Sequence, residues 1–565
     1  MTRSVLKEAI QLVHTASPVS EGEEFERSLE LLGAAKTDLL PLEGVSITVN
    51  GESVPFSRVF FRYLEIQEER GIMNYDDMIY FAVRILLADD AMRRRYQECF
   101  TYILVDEFQD LNRAQILLLE ILALPENNLF IVGDDDQLIY GWRGANVRSI
   151  IDFPRLHACA RETILSTNYR SSARIIAHAG WLISRNRERV PKSVVPRAGA
   201  PPGEFDVILR PGLWEQAQSA VEWIVRNRGA ARWRDTAVLS RYNAHQFIMA
   251  LALDRKSIPH TVVDGSRLFD SRAGKDVAAW FNVILFPLSV GRGDLERILS
   301  RPERLLRRSL IESLESWHDL ELLPGTGVLT AGEEESLQLL FSRVLSLRLR
   351  VPLVSASGLL GDIDRVMRLR MSYDRRRKAA SNPDEADEGT YLDVIGAVSR
   401  TFPTPESFFA HITESLRTRA APPAPSDSPP ERDEVVLSTI HRAKGNEFSR
   451  VVFFDLSRRH RPGAGETEEE RRVAYVGLTR AKDSLLVTAN GRRQSPFLRE
   501  AALDPQFAGR MREDMQSELS ELLKKIRRLS SANGTAASRK MTSLVQVVSS
   551  LQEELRCRSM LSLPP

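Results

Sequence analysis

Two hydrophobic rhythms follow one another along this chain. Over the first ninety residues, apolar side chains recur at three- and four-residue spacing, in Leu29 to Leu40 and again in Tyr63 to Leu87. That period predicts helices. From Thr101 the rhythm changes to short, uninterrupted apolar runs that each stop at a polar residue. Tyr102-Ile103-Leu104-Val105 stops at Asp106, and Leu129-Phe130-Ile131-Val132 at Gly133-Asp134. Ala237-Val238-Leu239 stops at Ser240, Val435-Val436-Leu437 at Ser438, Val451-Val452-Phe453-Phe454 at Asp455, and Leu485-Leu486-Val487 at Thr488. Runs that do not alternate predict strands covered on both faces, as in a parallel sheet. Ligands of open α/β sheets sit beyond the carboxyl ends of the strands, so the polar stops mark the candidate site.

Between Gly291 and Arg419 the strand runs vanish and helical spacing returns, which predicts a helical insertion between two parts of one α/β domain. Val195 to Gly203 and Ala420 to Pro430 are rich in Pro and read as linkers. The tail carries two amphipathic stripes, Leu519, Leu522, Leu523, Ile526, Leu529 and Leu544, Val547, Val548, Leu551, Leu555, separated by Ser530 to Lys540. They read as a helical hairpin on its own domain or as a partner-binding tail.

Bulk properties narrow the class. A chain of 565 residues is too long for one core, so several domains are expected. No apolar run reaches membrane-spanning length, and Met1 to Glu8 has no apolar signal core. Cys99, Cys159 and Cys557 lie far apart without metal-ligand spacing, which favours a reduced, cytoplasmic setting. The net charge of +1 argues neither for nor against nucleic acid. The basic stretches Arg301 to Arg308 and Arg375 to Lys378 read either as solvated surface or as phosphate contacts.

Two strand-end segments carry chemistry. Asp106-Glu107-Phe108-Gln109-Asp110 places an acidic pair where Mg2+ and a reacting water could be held, although a helix N-cap would use the same residues. Gly133-Asp134-Asp135-Asp136-Gln137-Leu138-Ile139-Tyr140-Gly141-Trp142-Arg143-Gly144-Ala145 combines two aromatics with a cation, the chemistry of stacking on single-stranded bases. Core anchoring is the alternative for Tyr140 and Trp142.

Three more segments follow in order: Asn168-Tyr169-Arg170-Ser171-Ser172, then Ser438-Thr439-Ile440-His441-Arg442-Ala443-Lys444-Gly445-Asn446-Glu447-Phe448, then Glu468 to Lys482. Together the five resemble motifs II to VI of the UvrD/Rep/PcrA-type superfamily 1 DNA helicases. Leu32 to Leu40, Asn74 to Met78 and Phe269 to Asp276 are weaker matches to other family segments. The resemblance implies an α/β fold of two RecA-like P-loop NTPase-type parallel-sheet domains, the first incomplete, with helical insertions. The expected division is 1–90 helical remnant of a first insertion, 91–167 partial first RecA-like domain, 168–290 and 431–500 second RecA-like domain, 291–430 helical insertion and linker, and 501–565 helical tail.

The resemblance also implies roles, with ATP and Mg2+ as cofactors. Asp106 would hold the metal and Glu107 would take the proton of the attacking water. Gln137, Arg170 and Arg480 would face the γ-phosphate, with Arg480 as arginine finger. Tyr169 would stack on adenine, and Gly445 and Glu447 would lie near the nucleotide, Glu447 at the ribose. Tyr140, Trp142, Arg143 and His441 would line a single-strand track. Implied partners are single-stranded DNA and duplex junctions, with movement 3′ to 5′.

The family's phosphate-binding loop, GxxxxGK[ST], is absent from these 565 residues. Gly33-Ala34-Ala35-Lys36-Thr37 has no glycine before its lysine, Gly274-Lys275 is followed by Asp276, and Lys444-Gly445 has the reverse order. Asn446 stands where the family has Leu, and 291–419 is short for the second helical subdomain. The chain is expected to begin at the first helical insertion. Three readings stay open: a motor whose loop is supplied by a partner or an upstream segment, an ATPase-inactive single-strand-binding or regulatory protein, and a truncated product. A first sheet so shortened is expected to expose an edge and apolar surface.

Overall fold

The computed structural model describes residues 2–14, 23–49, 51–157, 159–263, 267–301, 305–378, 388–417, 432–457 and 464–501. The second Pro-rich linker and both tail stripes lie outside them. Among the described residues no helix is long and apolar enough to cross a membrane.

Twelve strands are described: β1 (Ser46–Val49), β2 (Glu52–Pro55), β3 (Ile103–Val105), β4 (Leu129–Ile131), β5 (Thr167–Asn168), β6 (Val195–Pro196), β7 (Glu204–Arg210), β8 (Thr236–Ser240), β9 (His260–Val262), β10 (Val435–Thr439), β11 (Phe448–Phe454) and β12 (Ala481–Asn490). The last six form one parallel sheet in the order β7-β12-β11-β8-β10-β9. Its central strands are buried on both faces, as their unbroken apolar runs require. Val451 of β11 lies between Ala237 and Leu485, so segments nearly 250 residues apart share one register. Helices Ala173–Ile183 and Ala464–Thr479 belong to the core on one face. Helices Leu213–Arg228, Ala244–Asp254 and Arg272–Leu285 belong to the core on the other. That second core runs on into the helices of 292–417. Phe281 meets Phe408 edge-on at 5.4 Å, and buried Asp276 takes Arg297 at 2.8 Å, Arg301 at 3.1 Å and the Tyr373 hydroxyl at 3.0 Å. Gly274 is needed here for close packing, since a Cβ would lie 2.5 Å from Phe269 Cα. The Phe269 to Asp276 segment is therefore a structural joint. Arg307 and Arg308 also pair with carboxylates, Glu333 at 2.6 Å and Glu312 at 2.7 Å, which favours the surface reading of that basic stretch.

The first ninety residues depart from the all-helical expectation. β1 and β2 form an antiparallel hairpin whose turn holds Gly51 at φ +87°, and β1 alternates exposed and buried positions, a two-residue period. The helical run from Tyr63 to Leu87 is two helices, Phe56–Arg70 and Tyr75–Ala88. Gly71 ends the first at φ 60°, and a reciprocal cap between Asn74 and Asp77 starts the second. Val195 and Pro196, expected in a linker, pair with Thr167 and Asn168. Lys36 is buried against Asp77, which also accepts from Gln67 at 2.7 Å, and lies 4.3 Å from the Tyr63 ring. Burial pushes its pKa down against the pull of Asp77. The Lys36-Thr37 pair is thus part of a buried ion pair and not a phosphate cradle.

β3 and β4 form a parallel sheet of only two strands. Their runs predict burial on both faces, and the structure corrects this. Leu104 is 75 % exposed and its register partner Phe130 62 %. Among the described residues nothing is laid over that face.

Candidate functional site

The ends of β3 and β4 carry the acidic motif and the aromatic loop. Glu107 caps a short 3-10 turn in a left-handed conformation, φ 51° and ψ 39°, which costs a residue with a Cβ about 1 kcal/mol or more. Its amide donates to Asp106 Oδ1 at 2.9 Å. Both acidic side chains stay exposed at the strand end. Buried Gln109 ties the two strand ends together: its amide nitrogen donates to Glu107 Oε2 at 2.6 Å, and its oxygen accepts from the Asp134 amide at 2.9 Å.

The facing wall comes from the six-stranded sheet. Arg480 sits between helix Ala464–Thr479 and β12 and is 1 % exposed. Its guanidinium donates to Gln137 Oε1 at 3.2 Å, Val476 O at 3.1 Å, and Asn446 O at 3.4 Å. Gln137 in turn donates to Asp134 Oδ2 at 2.8 Å. Burial, with Arg170 nearby, lowers the Arg480 pKa to about 10. Lys444 crosses the same gap. Its ammonium donates to Asp110 at 2.5 and 2.7 Å and to Gln137 O at 2.8 Å, and lies 3.8 Å from Glu107 Oε2. Arg170 Nε donates to Glu447 Oε2 at 2.6 Å, while Lys482 holds the other carboxylate oxygen at 2.5 Å. Asn168 fixes that turn by accepting from the amides of Arg170 and Ser171. Gly445 has φ +85°, and Tyr169 projects with 77 % exposure.

The aromatic loop lies beside this gap. The Tyr140 hydroxyl donates to His441 O at 2.9 Å, and the two rings are 6.1 Å apart. The Arg143 guanidinium is 5.1 Å from the Tyr140 ring and 4.6 Å from the Trp142 ring. Trp142 is 44 % exposed, so one ring remains available for stacking, whereas half-buried Tyr140 is an anchor. The candidates therefore converge: acidic groups and Gln137 on one side, Arg480, Arg170 and Glu447 on the other, with the aromatics adjacent. Exposed carboxylates facing cations across a gap suit a metal-bound polyphosphate, and an exposed Tyr169 suits a base.

Residues 5–158 match the model of the UvrD/REP helicase N-terminal domain, and residues 163–323 with 379–492 match the UvrD-like helicase C-terminal domain. The chain belongs to the UvrD-like helicase family. Similar curated proteins include an ATP-dependent DNA helicase PcrA of Leuconostoc citreum, 28% identical over 493 residues, 81% of this chain and 64% of that protein. A DNA helicase II of Haemophilus influenzae is 29% identical over 461 residues, 77% of this chain and 62% of that protein. An ATP-dependent DNA helicase PcrA of Staphylococcus epidermidis is 26% identical over 506 residues, 86% of this chain and 68% of that protein. This UvrD-like chain thus spans less than two thirds of the length of the first two relatives. The mixed α/β architecture, with its six-stranded parallel sheet, is consistent with two RecA-like helicase domains.

The motifs by themselves assign no role to Gln109, Asp110 and Lys444, and the geometry makes them connectors of this UvrD-like site. A strand-end position was the only available signal. The run Asp134-Asp135-Asp136 brings three carboxylates within ligand range of one another, but Lys192 and Arg189 occupy them, Arg189 meeting Asp136 at 2.7 and 3.0 Å.

One pH dependence follows. Hydrogen bonds from Lys482 and then Arg170 hold the Glu447 carboxyl below its ordinary range. A depressed carboxylate contributes stability that is present above its unfolded pKa and lost as pH falls through the folded one. Protection factors of the amides in 168–171 and 444–448, corrected for the intrinsic pH dependence of exchange, are expected to fall below about pH 4, a window set by the ordinary Glu value. Glu447→Gln should remove that acid step.

Proposed function

We propose that this chain is the motor of an ATP-dependent DNA translocase moving 3′ to 5′, turning over ATP once a phosphate-cradling segment completes its first sheet. One observation carries this reading. The segment His441–Glu447 touches the aromatic loop at one end and the acidic motif, through Lys444, and Arg170, through Glu447, at the other. A change in the gap therefore reaches the groove through one short stretch of backbone. In this reading Asp106 holds Mg2+, and Glu107 orients the attacking water and takes its proton. Gln137 and Arg480 report phosphate occupancy to each other, Arg170 neutralises charge from the facing wall, and Tyr169 stacks on the base. Bound ATP and Mg2+ supply the phosphoanhydride and its charge neutralisation. Trp142, Arg143 and His441 hold the strand while the gap opens and closes.

Binding and turnover are tested separately. Fluorescence anisotropy with a labelled single strand is expected to show that Trp142→Ala weakens affinity by about 5- to 150-fold, equivalent to one stacking contact. An unchanged dissociation constant rejects the track. ATP turnover with single-stranded DNA is expected to require an added polypeptide bearing a GxxxxGK[ST] loop, and to be abolished by Glu107→Gln.

A second reading is an ATPase-inactive single-strand-binding protein. It is favoured by the position of Lys444, which neutralises the acidic motif directly. Strand binding unaffected by ATP, with no turnover after addition of the loop polypeptide, decides for it.

A further inference from the structure

We infer that a cavity beyond the carboxyl ends of β7, β11 and β12 binds a small phosphorylated polyol, a ligand of the sugar-phosphate class. β7 and β12 are neighbours in the six-stranded sheet, yet the chain leaves them toward opposite faces. β7 continues into helix Leu213–Arg228 of one core, and β12 into helix Pro496–Glu500 of the other. Open α/β sheets bind ligands in the crevice that such a reversal opens. Here the crevice is a cavity of about 380 Å³, lined by the turns after the three strands and by residues of helices Ala356–Met367 and Glu388–Ser399. That volume suits a small organic molecule. None of its lining residues belongs to the gap between Glu107 and Arg480.

The acceptors in the cavity wall are engaged. Asp393 takes Arg370 at 2.6 Å, and Asp364 takes the Arg370 amide at 2.8 Å. Asn490 Oδ1 takes the amides of Arg492 and Arg493 at 2.9 and 3.1 Å. Asp455 takes the Ser457 hydroxyl and, at 3.1 Å, Gln216 Nε2. Two cations stand otherwise. Arg400 and Arg493 both line the cavity, and among the described residues no acceptor meets either guanidinium. The start of helix Leu213–Arg228 is not the anion site, because the Glu215 carboxylate already lies over Gly212 there. One buried acceptor is also unmet. Gln216 lines the cavity and is wholly buried, and giving its amide nitrogen to Asp455 leaves Oε1 with no partner among the described residues. A buried acceptor calls for a donor. A ligand hydroxyl supplies one, directly or through a water, while a phosphate takes the two guanidiniums. An internal DNA phosphodiester has no hydroxyl to give, which favours a small ligand over the strand.

Titration calorimetry on the full chain tests this, with ribose 5-phosphate, glycerol 3-phosphate and inorganic phosphate as probes. At least one phosphorylated polyol is expected to bind saturably, about tenfold more tightly than inorganic phosphate, the worth of satisfying one buried acceptor. Arg400→Gln and Arg493→Gln should each weaken that binding by about tenfold or more, the loss of a hydrogen bond to a charged group. Both side chains are exposed, so neither variant should lower the Tm. Neither should change single-strand anisotropy, which keeps this test separate from that of the motor. Failure of both polyol phosphates to bind overturns the proposal. So does equal affinity for inorganic phosphate, or binding that survives both arginine substitutions. A parallel loss of single-strand affinity also overturns it, by assigning the cavity to a DNA phosphate.

Discussion

If the proposed function holds, Arg480→Met is expected to cut ATP turnover, measured with the phosphate-loop polypeptide added, by about a thousandfold, the scale of an arginine finger, without lowering the Tm. The two effects separate because Arg480 is a buried cation. Its pKa is lowered to about 10, so the folded state disfavours the charged form it must carry at neutral pH. By linkage that charge costs on the order of 3 kcal/mol of stability. Its three carbonyl partners, among them Val476 O and Asn446 O, return part of the cost. Methionine keeps the volume and removes the charge. Differential scanning fluorimetry and a coupled ATPase assay read the two quantities. A large fall in Tm with turnover retained makes Arg480 a structural residue. Arg480→Lys is expected to rescue little, because a single ammonium cannot reach Gln137, Val476 O and Asn446 O at once.

Asp77→Ala is expected to destabilise the N-terminal helical unit by about 3–5 kcal/mol, the cost of leaving a buried charge without its partner. Three groups lose their acceptor together: the Lys36 ammonium, Gln67 Nε2 and the Asn74 amide that begins helix Tyr75–Ala88. Lys36 is 2 % exposed and Asp77 0 %, so water does not replace the carboxylate. Exchange over 56–88 should approach that of a locally unfolded segment. Lys36→Met combined with Asp77→Leu should recover most of the loss, since an apolar pair of similar size leaves no unpaired charge. A double variant as unstable as Asp77→Ala would show that the cap at Asn74 is the main contribution.

The candidate site was legible in the sequence to the extent that strand ends are. Asp106, Glu107 and Gln137 each follow an apolar run, and such a run can be read without coordinates. The roles of their connectors were not legible. Lys444 finds Asp110 across 334 positions, and no local periodicity encodes that choice. Gln109 looks like any polar residue of a turn until it is seen between Glu107 and Asp134. The hairpin at 46–55 was missed because four-residue strands are too short to compete with the helical spacing around them.

The amino-acid order alone determined the family and the parallel architecture, because motif wording and two-sided apolar runs are properties of consecutive residues. It also marked the absence of a GxxxxGK[ST] loop, a matter of letters. Tertiary structure decided which charges neutralise one another. Asp134 to Asp136 face Arg189 and Lys192, and Lys36 belongs to Asp77. It also decided that, among the described residues, nothing covers the face of β3 and β4 that carries Leu104 and Phe130. Partners in an ion pair and neighbours of a sheet are set by three-dimensional proximity, and the same apolar run is written whether or not another layer arrives to cover it.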